Sequence, residues 1–102
     1  MTHGLPVACT LTPDALAARR AGLLRDLVGR ASSRDALPSG WRFLFPGDGE
    51  TLIAIARTVD AERQCCRFLR FEIAVEPDGG PISLVLTGPS GTAEFLASLF
   101  EP

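Results

Sequence analysis

The chain reads as a single α+β domain, a two-layer sandwich in which a four-stranded mixed or antiparallel sheet carries its helices mainly on one face. Three observations predict this. Apolar residues alternate with period two in four short runs, recur at helical spacing in three others, and a "PDGGP" turn joins two of the strands as an antiparallel hairpin. The order that results is β-α-β-α-β-β-α over residues 1–102, with no internal repeat and no second domain. A chain of 102 residues with 46% apolar content can fill one core without disulfide staples.

The first run, "LPVACTL", predicts a strand with Val7, Cys9 and Leu11 on one face, so Cys9 points inward. Thr12 then caps a helix, with Pro13 at its first position and Asp14 favourable to its dipole. Leu16, Arg20, Leu23, Leu24 and Leu27 trace that helix to about Arg30. Residues 31–40, "ASSRDALPSG", read as a polar connection, and "WRFLF" as a strand with Trp41, Phe43 and Phe45 on one face, stopped by "PGDG".

A second helix runs from about Glu50 to the cysteines, with Leu52, Ile55, Ala56 and Val59 on its apolar side. Its phase places Cys66, seven residues after Val59, on the core stripe, and Cys65 toward the edge of that stripe. Glu62 lies at an angle between the two. "RFEIAVEP" alternates Phe71, Ile73 and Val75 against Arg70, Glu72, Ala74 and Glu76, which implies one wet face. "ISLVLTG" returns as its hairpin partner, and "GPSGTAEFLASLF" closes the chain with a helix carrying Phe95, Leu96, Leu99 and Phe100. The stripes Leu16/Leu23/Leu27 and Leu52/Val59 are expected to build one core with the apolar strand faces.

Composition removes several function classes. All ten basic residues are arginine, and lysine and tyrosine are absent, so a phosphate-loop lysine, a Schiff-base lysine and a tyrosine acid are excluded. With a net charge of −2 and arginines scattered among acids, no basic stripe marks a nucleic-acid surface. No apolar stretch approaches the roughly 20 residues of a membrane span, and the first residues lack a signal-peptide pattern, which predicts a cytoplasmic protein. The lone His3 and the lack of GxSxG give no support to a hydrolase triad. "TGPSG" lacks the spacing of a phosphate loop and reads as a structural turn.

What remains is thiol chemistry. Cys65 and Cys66 are adjacent and follow Glu62 by three and four residues, and Cys9 is the only other cysteine. An odd count with two neighbours argues against a secreted disulfide framework and for reduced or metal-bound thiols. If the fold brings Cys9 to the pair, three thiols and a carboxylate converge. Three sulfurs suit Hg(II), Cu(I), Cd(II) or As(III), whereas Zn would need Glu62 or His3 as a further ligand.

The leading expectation is therefore a cytosolic soft-metal or metalloid binding protein with Cys9, Cys65, Cys66 and Glu62 as its ligand set. A thiol-dependent enzyme or redox protein acting on a thiophilic small molecule is the alternative, with Cys65 as nucleophile, Cys66 or Cys9 resolving and Glu62 carrying the proton. Helix C-terminal placement counts against it, since the dipole there opposes thiolate, and no CxxC spacing is present. A third reading is a small homodimeric interaction module whose cysteines are core, with Arg63, Arg67 or Arg70 neutralising Glu62.

At "CTLT", "LPSGWRFLFP", "ERQCCRFLRFEI" and "GPISLVLTGPSGTAEFL" the chain resembles a group of small, largely uncharacterised bacterial proteins. Their pattern is a cysteine before a Leu-Thr helix start, an ERxCCxFL segment and a closing LTGP-x-G-x-x-E-F-L. The resemblance covers nearly the whole chain and departs from the pattern at Arg67, where proline is usual, leaving the sharpness of the helix end open. It implies Cys9, Glu62, Cys65 and Cys66 as site residues and a link to heavy-metal resistance.

Overall fold

The computed structural model describes residues 22–100, and the predicted first strand with Cys9, the Thr12 cap, Leu16 and His3 lie outside them. Helix α1, described over 22–28, leads into strands β1 (Ser33–Leu37) and β2 (Gly40–Phe45). Helix α2 (Gly49–Cys65), strands β3 (Arg70–Val75) and β4 (Ile82–Thr87), and helix α3 (Thr92–Phe100) follow. The four strands form one antiparallel sheet in the order β1-β2-β4-β3, and the architecture is α+β.

Period-two alternation fixes which sheet face the helices cover. Phe43 stands opposite Leu84, which stands opposite Ile73, and the neighbouring pairs place Trp41, Phe45, Ile82, Leu86, Phe71 and Val75 on that same face. Phe43, Phe45, Ile82, Leu84 and Leu86 are buried there with Leu24, Leu27, Val28, Ile55 and Leu96 of the helices. Phe100 locks α3 onto β2, with its ring edge-on to Trp41 at 5.1 Å and to Phe43 at 5.6 Å. The Trp41 indole N–H donates to the Ala93 carbonyl at 2.9 Å, so the one polar atom of that ring is satisfied. Gly40 permits the close approach of β2 to β4, because a Cβ there would run into the Leu86 carbonyl.

Strand β1 occupies the segment expected to be a polar connection. Its Ser33, Arg34, Asp35 and Ala36 are exposed, and the backbone ladder to β2 holds them. An edge strand wetted on both faces has no apolar alternation to betray it. Arg34 lies 4.7 Å over the Phe100 ring and Asp35 faces Arg42 at 3.7 Å, so its side chains have partners even without burial. The β3–β4 hairpin is as expected: Asp78 and Gly79 take φ of 57° and 70°, and the Gly80 N–H donates to the Pro77 carbonyl at 3.0 Å, the two-residue turn that suits strand twist.

Two helix phases differ from expectation. On α1, Leu24, Leu27 and Val28 are buried while Leu23 is 44% exposed, so the stripe is rotated off Leu23. On α2 the buried line is Thr51, Ile55, Thr58, Glu62 and Cys65, with Leu52 and Val59 half-buried on its flank and Ala56 exposed. The buried line runs through Thr51 and Thr58, which a stripe of apolar residues does not include. Among the described residues no helix is long and apolar enough to cross a membrane.

Candidate functional site

Helix α2 starts where Asp48 caps it, its carboxylate accepting from the Thr51 N–H at 2.8 Å. Seventeen residues on, it ends at Cys65, with Cys66 as C-cap at φ −103° and ψ 75° and its N–H bonded to the Glu62 carbonyl at 2.6 Å. The helix therefore stops between the two cysteines. Its last turn carries Glu62 and Cys65 on the core line, and the cap residue folds Cys66 into the same interior. Leu69 N–H then bonds the Cys66 carbonyl at 3.1 Å, turning the chain into β3. Phe68 and Leu69 are buried in that turn, and Phe68 meets Phe95 of α3 edge-on at 5.4 Å. The expected position of Cys65 at the edge of the stripe is thus corrected, because the true stripe runs through it.

Glu62 and Cys65 are both 0% exposed and Cys66 is 1%. The Cys66 thiol donates to Glu62 Oε1 at 3.4 Å. A carboxylate and a thiol from successive turns thus share a hydrogen bond inside the apolar core, next to a second thiol. Ala61, Glu62, Cys65 and Cys66 each make further interactions besides these. Of the arginines offered as partners for Glu62, Arg63 pairs with Asp60 at 2.7 Å, Arg70 pairs with Glu72 at 3.4 Å, and Arg67 is exposed.

The structure joins Cys66 to Glu62 and buries Cys65 in the same core, while Cys9 and His3 fall outside the described residues. Among the described residues no group of three or more His, Cys, Asp or Glu is arranged to hold a metal ion. "TGPSG" is a tight turn, with Thr92 N–H and Oγ1 both bonded to the Pro89 carbonyl and Gly91 at φ 97°. What sequence reasoning missed is an open groove of about 430 Å³ between α1 and α2, lined by Leu23, Leu27, Ile53 and Ala54 with Arg30 and Glu50 at its rim. Its signal in the sequence is Ile53, an apolar residue off the predicted α2 stripe; Leu23, placed on the α1 stripe, is exposed beside it. Comparison with known proteins finds no matching family model, no matching curated protein and no matching solved structure.

Proposed function

We propose that this chain is a cytoplasmic soft-metal or metalloid binding protein, in which Cys65 and Cys66 act as thiolate ligands, Cys9 completes the sulfur set and Glu62 accepts a thiol proton or serves as a further ligand. The observation that carries the reading is the buried contact between the Cys66 thiol and the Glu62 carboxylate, with Cys65 beside it in the same core. A thiol binds a soft ion as thiolate, so each Cys–metal bond formed releases a proton. Glu62 is hydrogen-bonded to one of those protons, and transfer from Sγ to Oε1 would keep it within the site as the sulfur takes the metal. Zn, Cd(II), Hg(II), Cu(I) and As(III) all fit thiolate donors, and the charge of the site with a nearby carboxylate favours a cation.

The test is a titration of the reduced full chain with Cd(II), read by the ultraviolet thiolate-to-metal absorption and by elemental analysis of protein purified without chelator. Stoichiometric binding is expected. Cys65→Ser, Cys66→Ser and Cys9→Ser should each weaken it by more than the roughly 10–100-fold that loss of an outer hydrogen-bond partner costs a metal site. Wild-type binding no tighter than that of the three serine variants would assign the cysteines to the core instead.

A further inference from the structure

We infer that the outer edge of β3, unpaired among the described residues, is a docking strand for a second copy of this chain, and that two copies pair β3 to β3 to make one continuous sheet. Sheet edges in natural proteins are normally blunted by charge or brevity. Strand β1, the other edge, follows that rule with Ser33, Arg34 and Asp35 exposed. Strand β3 does not. Ile73 is 41% exposed and Val75 58%, and both stand on the face that the rest of the sheet buries under helices.

The backbone supports one geometry. Glu76 N–H bonds inward to the Pro81 carbonyl, next in the ladder after the Val75–Ile82 pair. Since the hydrogen-bonding direction alternates along a strand, Phe71, Ile73 and Val75 direct their N–H and C=O outward, away from β4. Any antiparallel partner must match outward residue to outward residue. A two-fold axis normal to the sheet at Ile73 does this: Ile73 faces Ile73, and Phe71 faces Val75 of the second copy. The apolar faces of the two sheets then lie on the same side, so that Ile73 covers its counterpart and Val75 covers Phe71.

Charge selects the occupant and the register. On the opposite face that axis sets Arg70 against Glu76 of the second copy twice, by symmetry, and Glu72 against Ala74. Among the described residues of the single chain Arg70 pairs with Glu72, at 3.4 Å, with both side chains more than half exposed. A shift of two residues one way sets Glu72 against itself, and the other way sets Glu72 against Glu76; like charges directly opposite are unfavourable. A shift of four one way also sets Arg70 against Glu72 but needs Leu69, whose N–H is already bonded to the Cys66 carbonyl at 3.1 Å, and the other way needs Pro77, which has no N–H to give. The strand is therefore complementary to itself in one register.

Sedimentation equilibrium of the full chain over a wide concentration range tests the pairing. Wild type should self-associate to a dimer. Ile73→Glu, at a position already exposed in the single chain, should weaken the dimer, with circular dichroism confirming an intact fold. Arg70→Glu and Glu76→Arg should each weaken it about tenfold, because each places like charges opposite one another at two symmetric positions. The double variant R70E/E76R should recover wild-type association, which no fold-stability effect would produce. A wild type that stays monomeric, or a dimer insensitive to all three single substitutions, overturns the inference.

Discussion

In the proposed chemistry the central residue is Glu62, a carboxylate with no solvent exposure joined to a thiol four positions later. Its role makes an expectation distinct from that of the cysteines. If it retains one thiol proton when the metal binds, Glu62→Gln removes that acceptor but keeps a side-chain oxygen for the hydrogen bond. The variant should then bind Cd(II) with only modestly lower affinity, while releasing about one more proton per ion to solvent, so that its affinity rises more steeply with pH. Proton release measured in weak buffer beside the titration would show it; identical release in both proteins would remove Glu62 from the proton balance. The pairing itself was legible from the sequence, because residues three and four apart on a helix share a face whatever the phase of that helix. The hydrogen bond to Cys66 in particular needed the structure, since it depends on the helix ending at Cys65 and Cys66 turning inward as its cap.

At the scale of elements, the helix that carries the site is anchored at its far end. Asp48 accepts from the Thr51 N–H, with smaller help from the Thr51 hydroxyl and Arg30, and this holds its carboxyl below the ordinary 3.8. A group whose folded pKa is lowered stabilises the fold above its unfolded value and loses that contribution as pH falls through the folded value. Asp48→Ala should therefore be less stable than wild type at neutral pH, and urea midpoints of the two should converge in acid. A constant gap across that range would show that the cap acts without its charge. Helix α1 offers a sharper contrast between neighbours: Leu24→Ala should cost about 2–4 kcal/mol and Leu23→Ala within about 0.5 kcal/mol, read by denaturant melts. Equal losses would place Leu23 back in the core. The sequence could not separate the two leucines, because adjacent apolar residues at a stripe edge fit either phase. It could read the β3–β4 hairpin, because "DG" between alternating runs demands left-handed backbone, and it could not read β1, whose exposed residues satisfy only backbone needs.

Taken whole, the molecule joins two hairpins across a gap in sequence. Strands β1 and β2 are neighbours in chain and in space, as are β3 and β4, but the centre of the sheet is the β2–β4 pair, with α2 and β3 intervening. Period-two patterning placed Trp41, Phe43 and Phe45 on the core face of β2 and said nothing of strand order, since the alternation of a strand carries no label for its neighbour. The site sits at this junction: the Cys66 cap hands the chain from α2 directly to β3. The strand order also sets a timetable for folding. Each hairpin closes a short loop and can form early, whereas Phe43 meets Leu84 only after the loop holding α2 has closed, at a greater entropic cost. The slow step is then the docking of one preformed ribbon onto the other, and the thiols are drawn out of water as that docking completes, leaving them open to oxidants in the nascent chain and shielded in the finished one.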